Sequence, residues 1–224
     1  MNKLNHVAFI MDGNGRWGLK HKKNRNLGHL EGLNTVKKIV EASIKLNIPI
    51  VTFYVFSSEN WLRPAKEIKY LFKLIYSYFK LELENIVKNN IKINILGRNN
   101  NLPIKIKQIL KKTAELTKNN KKIIVNLAIN YGSKNELIDS IKKIKLNKLI
   151  ISEHSINKYL YTSLPFPDIL VRTGGKKRLS NFMLWQLAYT ELFFLEKLWP
   201  DFNKNDLKII LKQYSKIKRN FGAI

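Results

Sequence analysis

Short apolar runs alternate with longer segments of helical periodicity along this chain, and that alternation restricts the fold more than any single motif does. His6 to Met11 is an apolar run that stops at Asp12-Gly13-Asn14-Gly15-Arg16. From Gly28 onward, Leu33, Val36, Val40 and Ile44 recur at helical spacing. Ile50 to Ser57 is β-branched and aromatic, and Pro64 then opens a helix with Ile68, Leu71, Ile75, Tyr78 and Ile86 close to one face. Ile91 to Leu96 reads as a strand ended by Gly97, Pro103 to Asn119 as a helix, Lys122 to Ile129 as a strand and Asn135 to Leu146 as a helix. Asp168 to Arg172 and Leu192 to Leu195 are the last strands, and a helix over Lys204 to Arg219 closes the series.

Strands that alternate with helices in this way build an α/β layer fold whose mainly parallel sheet is covered on both faces. No repeat divides the 224 residues, which we read as one domain, 1–224. The one candidate linker is a polar stretch around Lys145 to Ser155. In such sheets the loops after the carboxyl ends of strands form the site. The unusual residues fall there: Asp12 to Arg16, Ser57 to Arg63, and Arg172 to Ser180.

Composition narrows the chemistry. The absence of cysteine removes disulfides, thiolate metal sites and cysteine nucleophiles, and suits a reducing compartment. The first residues show no signal-peptide pattern, so the expected location is cytoplasmic. The longest uncharged runs, Leu46 to Ser58 and Leu179 to Thr190, fall short of the roughly 18 apolar residues that span a bilayer. A net charge of +25 draws polyanions: nucleic acid, anionic lipid or phosphorylated substrates. The lysines are scattered, which fits codon bias across the whole chain; the fewer arginines carry more information.

The Asp12-Gly13-Asn14-Gly15-Arg16-Trp17 segment joins a carboxylate, two glycines, a guanidinium and the start of a helix. Backbone amides and a positive helix end suit a diphosphate, and the aspartate suits the magnesium that accompanies one. Neither the dinucleotide fingerprint nor the Walker pattern is present, and a plain capped turn would also account for this segment alone. Arg25 and His29, one helical turn apart, can add donors to the same anion, although a structural histidine is equally consistent. Four histidines without metal-ligand spacing leave magnesium ahead of zinc. The second segment, Ser57-Ser58-Glu59-Asn60-Trp61-Leu62-Arg63, is richer in polar groups than a connection needs, while Trp61 could equally fill core. In the third, Arg172, Arg178 and Ser180 surround a glycine turn and form a second diphosphate clamp. Glu191 follows a helical-looking segment with Trp185 and Tyr189 and suits either a metal shell or an ion pair. Anion clamps beside apolar runs imply a substrate with a charged head and an apolar tail.

Taken in order, His6 through Trp17, Thr52 through Pro64, Asn130-Tyr131-Gly132, and Arg172 through Phe202 resemble the cis-prenyltransferase family, and within it the bacterial undecaprenyl diphosphate synthases, or isoprenyl transferases. The resemblance implies about six mostly parallel strands, helices around an apolar tunnel, and a homodimer. It implies that Asp12 is the catalytic carboxylate and holds Mg2+ together with Glu191. Gly13, Asn14, Gly15, Arg16, Arg25 and His29 would hold an allylic prenyl diphosphate, with Trp17 beside them. Ser57, Ser58, Glu59, Trp61 and Arg63 would line the substrate site, and Asn60 would accept or relay a proton. Arg172, Arg178, Leu179 and Ser180 would hold isopentenyl diphosphate. Peripheral contact with the membrane would let the product leave. Two positions depart from the family pattern: Lys176 stands where an acidic residue is common, and Ser133-Lys134 where Gly-Arg is. A non-catalytic subunit of this fold would be expected to lack the aspartate and arginine set, and a nucleic-acid binder would be expected to show a reading motif, which is absent here.

Overall fold

A computed structural model describes residues 3–219. The sheet comprises β1 (His6–Ile10), β2 (Ile50–Ser57), β3 (Ile91–Leu96), β4 (Ile123–Tyr131), β5 (Ile169–Arg172) and β6 (Glu191–Phe194). All pairings are parallel, in the order β3-β4-β2-β1-β5-β6. The helices are α1 (Asn14–Lys22), α2 (Arg25–Lys45), α3 (Ala65–Lys88), α4 (Ile104–Thr117), α5 (Ser133–Leu146), α6 (Glu153–Tyr159) and α7 (Lys204–Tyr214). Short 3-10 turns occupy Ser58–Leu62 and Trp199–Asp201. The chain is thus a single α/β domain with a six-stranded parallel sheet.

Strand alternation sorts side chains to two cores. Val7 and Phe9 of β1 meet Phe53 of β2, Ile39 of α2, Phe72 and Phe79 of α3, and Trp199 and Phe202 on one face. Ala8 and Ile10 point the other way, toward Leu170, Phe182 and Met183. On β2 strict alternation fails. Tyr54 pairs with Ala128 but Phe56 pairs with Ile129, so Val55 is an extra residue. Phe56 therefore returns to the face of Phe53, while Tyr54 stacks on Phe182 at 4.4 Å on the other.

Three further expectations are corrected. The Lys145 to Ser155 stretch is no plain linker, because Ser152 caps α6 through a reciprocal box with Ser155. The segment around Trp185 and Tyr189 is turns rather than helix: Ser180, Asn181 and Met183 just before it take φ of 51°, 60° and 47°, which interrupts helical hydrogen bonding. The closing helix ends at Tyr214, short of Arg219.

A polar ladder runs across four strands beneath the second core. His6 Nδ1 donates to the Pro165 carbonyl at 2.7 Å, so its Nε2 accepts from the Thr52 hydroxyl at 2.6 Å. Asn126 Nδ2 donates to Thr52 Oγ1 (2.9 Å), and Asn94 Nδ2 donates to Asn126 Oδ1 (3.0 Å). Burial pushes the His6 imidazole down to about 4, against smaller upward contributions from Pro165 and Asp168. The unfolded chain binds a proton at His6 below about pH 6.5 that the folded chain refuses until about 4, so stability must fall as pH drops through that window. His29, also depressed chiefly by burial, acts in the same direction. Urea midpoints measured between pH 7 and 5 are expected to fall, with a slope approaching about 1.4 kcal/mol per unit below pH 6.5 from His6. His6→Gln should show a shallower slope whatever its absolute stability.

Candidate active site

Because the sheet is parallel, the carboxyl ends of β1, β2, β4 and β5 share one edge, and a cavity of about 340 Å³ opens there. Asp12 sits two residues beyond β1. Its Oδ2 accepts from Arg172 Nη2 at 2.8 Å and its Oδ1 from Arg16 Nη2 at 3.2 Å. The Asp12 carbonyl accepts from the Thr173 hydroxyl (2.8 Å) and from the Trp199 amide (3.0 Å), which ties this loop to those after β5 and β6. Arg172 is 3% exposed; its Nη1 donates to the Arg178 carbonyl (2.5 Å) and to Ser180 Oγ (2.8 Å), and its Nε lacks a partner.

Gly13 precedes α1 with φ of 111°, a backbone region that a Cβ disfavours. The first-turn amides of α1 are unpaired within the helix, and Gly13, Asn14, Gly15 and Arg16 line the cavity. Arg25 and His29 reach the same basin from the start of α2. They meet Glu67 of α3, a residue that sequence reasoning missed: His29 Nε2 lies 3.2 Å and Arg63 Nη1 3.2 Å from its Oε1, and Arg25 Nε 3.5 Å from its Oε2. Burial alone would raise the Glu67 carboxyl, but the hydrogen bond and charge of Arg25, the charge of Arg63 and the His29 contact outweigh it and hold the group below its usual range.

Five of the seven arginines line this cavity (Arg16, Arg25, Arg63, Arg172 and Arg178), and none of the 34 lysines does. Asp12 is its one lining carboxylate. Ser57, Asn60 and Ser180 complete the expected set, and Tyr54 joins it, with its hydroxyl on the carbonyls of Tyr131 and Ser180 at 3.2 Å each. At Met11, Asn14, His29, Val55 and Leu71 the basin meets a second cavity of about 110 Å³. Leu33 and Val36 of α2, Leu74, Ile75, Tyr78 and Phe79 of α3, and Leu127 and Ile129 of β4 make its walls apolar.

Six expected residues lie outside the basin. Trp17 donates to Asp201 Oδ1 (2.7 Å) and stacks on His21. Ser58 donates to Glu59, whose other oxygen accepts from Asn181 Nδ2 at 2.7 Å. Trp61 packs on Phe56 and Phe72, and Leu179 packs against the second core. Glu191, expected to hold one ion together with Asp12, is separated from it within the chain. It opens β6 opposite Ile169, whereas Ile10 and Arg172 end their strands opposite Phe194. That places Glu191 about 10 Å back along the sheet. Its carboxylate lies 3.9 Å from Arg219. Among the described residues no three acidic or histidine side chains gather as a metal site.

A basin of guanidinium groups and helix amides that continues into an apolar slot defines a class of protein that handles an anionic head carrying an apolar tail. Comparison with known proteins makes this specific. Residues 10–222 match the family described as "Putative undecaprenyl diphosphate synthase". An isoprenyl transferase of Fusobacterium nucleatum is 44% identical, with 98% of this chain and 96% of that protein covered. One from Rickettsia typhi is 44% identical over 99% of both chains. The crystal structure of a probable undecaprenyl diphosphate synthase from Campylobacter jejuni superposes with a TM-score of 0.85 at 34% identity, covering 99% of this chain and 100% of that one. Lavandulyl diphosphate synthase from Lavandula x intermedia, solved with dimethylallyl diphosphate, gives a TM-score of 0.93 at 30% identity over 97% and 98%. The chain belongs to the undecaprenyl diphosphate synthase family of isoprenyl transferases and is a prenyltransferase.

A Cβ built on Gly15 would fall 2.7 Å from the Arg25 guanidinium carbon. That group ends a flexible side chain, so Gly15→Ala should displace the donor at little cost, and alanine is the better helix former by about 1 kcal/mol. Calorimetric titration with inorganic diphosphate is expected to show roughly tenfold weaker binding, about 1.4 kcal/mol, with an unchanged or higher melting temperature.

Proposed function

We propose that this protein condenses isopentenyl diphosphate with an allylic prenyl diphosphate, farnesyl diphosphate being the expected partner. The product would be a long-chain polyprenyl diphosphate with new cis double bonds, such as undecaprenyl diphosphate, the carrier precursor for cell-wall glycans. The observation that carries this reading is the joint between the arginine-lined basin and the apolar slot at Asn14, His29 and Val55. A diphosphate and its isoprenoid tail need these two environments side by side.

In this reading the allylic diphosphate rests on the first-turn amides of α1, with Arg16, Arg25 and His29, and its tail enters the slot. Arg172, Arg178 and Ser180 take isopentenyl diphosphate. As the allylic carbon–oxygen bond breaks, its electron pair leaves with the diphosphate, and donors fixed beforehand meet the growing charge. The isopentenyl double bond, held alongside, supplies the electrons of the new carbon–carbon bond. One proton must leave. Asn60 lines the basin with its Oδ1 accepting from the Ser57 amide at 3.1 Å; an uncharged amide can only relay the proton, toward the departing diphosphate.

The donor set fits magnesium. Each Asp12 oxygen carries one arginine contact and retains a lone pair, and magnesium commonly uses one or two carboxylates plus substrate phosphate oxygens and water. When bound there, the ion would neutralise charge on the leaving diphosphate. The enzyme would act as a homodimer on the cytoplasmic side, touching the membrane as its apolar product leaves. No helix among the described residues is long and apolar enough to cross a bilayer.

The test is elongation of farnesyl diphosphate with labelled isopentenyl diphosphate and magnesium, followed by chromatography of the lipid. Wild type should elongate, EDTA should stop it, and Asp12→Ala should lose on the order of a thousandfold in rate, because ion contact and Arg172 partner go together. Full elongation by Asp12→Ala would refute the assignment. Tyr78, in the slot wall, is expected to limit product length, so Tyr78→Ala should shift the products to longer chains on the same chromatogram.

A further inference from the structure

The Asn130-Tyr131-Gly132 segment stands out in the sequence, yet no step above uses it. Asn130 lies where β4 becomes irregular. Phe56 of β2 pairs with Ile129 and Ser57 with Tyr131, so Asn130 is passed over, and its φ is 50°. Bulges of this kind re-aim side chains beside active sites. The residue is only 6% exposed, yet its amide is fully used. Oδ1 accepts from Trp61 Nε1 at 2.8 Å, while Nδ2 donates to the carbonyls of Arg98 and Asn100 at 2.9 Å each. One side chain therefore ties the loop after β3 to the 3-10 turn after β2.

The consequence falls on the neighbours of Trp61. Its ring is wedged at 5.2 Å from Phe56 and 5.5 Å from Phe72, so the indole hydrogen bond fixes the rotation of the whole turn. Ser57 and Asn60 belong to that turn, are locked together by their reciprocal cap, and line the basin. We infer that Asn130 is a positioning residue, which acts through the Trp61 indole to hold Asn60 and Ser57 at the wall of the reaction cavity. Few residues can do this. The backbone must tolerate the left-handed region, and the side chain must supply one acceptor and two donors. Asp keeps the backbone and the acceptor but sets a carboxylate against two carbonyls. Gly keeps only the backbone.

The inference rests on the transferase reading, so its test includes a measurement independent of turnover. Asn130→Gly, Trp61→Phe and the double variant would be compared with wild type in steady-state elongation. The two single variants are expected to lose ten- to a hundredfold, on the order of what about 1 Å of misplacement costs, in kcat. KM for the allylic diphosphate should stay within roughly threefold, because its clamp on α1 and α2 is untouched. The double variant should be no slower than the worse single one, since both cut the same tie. By NMR, the Trp61 indole proton, assigned by its loss in Trp61→Phe, should exchange slowly in wild type and fast in Asn130→Gly. Unchanged kcat in Asn130→Gly, losses that multiply in the double variant, or an indole proton indifferent to Asn130 would each overturn the inference. If Asn130→Gly does not fold, wild-type kcat in Trp61→Phe overturns it alone. An inactive wild type with a protected indole proton would instead refute the transferase reading.

Discussion

The ion pair between Arg172 and Asp12 is the constraint on which the rest of the site depends. Arg172 ends β5 as a guanidinium with 3% exposure, and a charge so placed is costly unless paired. Asp12 supplies that pair at 2.8 Å, while its backbone carbonyl receives Thr173 and Trp199. Removing one partner of a buried pair typically costs about 3–5 kcal/mol, because the other charge stays behind. The loops after two adjacent strands are thus held in one geometry, and the carboxylate's second oxygen is left to engage Arg16 from α1. The two expected anion clamps share this one aspartate.

Around that pair the parallel sheet does the assembling. All strands end on the same edge, so residues from the loops after β1, β2 and β5 converge without any long excursion. Regular alternation could not deliver every side chain needed. The extra residue at Val55 and the irregularity at Asn130 break the alternation in neighbouring strands at the same level. Tyr54 is thereby kept in the second core with its hydroxyl on Ser180, while Val55 and Phe56 line the apolar slot.

Much of this was legible in the sequence. The strands could be read because apolar runs of four to eight residues stop at glycine or at polar loops, and the long helices because one face of each is apolar. The loop motifs could be read because arginines and glycines cluster there far beyond what a turn requires. What escaped had no local signature. A single extra residue in β2 leaves no mark on composition, and Leu179 to Thr190 is apolar enough to pass for a helix until its left-handed residues are seen. Glu67 looks like any solvated glutamate near a helix start, and only tertiary structure brings Arg25, His29 and Arg63 to it. Glu191 shows the converse: its nearness in sequence to the second clamp says nothing of which end of the strand it occupies.

The charge of the chain takes on a different meaning once these positions are known. None of the thirty-four lysines lines the basin, so the bulk of the +25 charge reaches it only as a diffuse field, weakened by salt within about 10 Å. Arginine is used where geometry matters. Its planar fork can hold two phosphate oxygens at once and stays charged in a partly buried basin, whereas a lysine would contribute a mobile point charge. Glu67 bears on this as well. The Arg25 and Arg63 guanidiniums would repel each other without it, so its carboxylate keeps them, with His29, gathered at the mouth of the apolar slot. The basin is therefore charged for a ligand with several negative charges and held open by two carboxylates, Asp12 on the sheet side and Glu67 on the helix side.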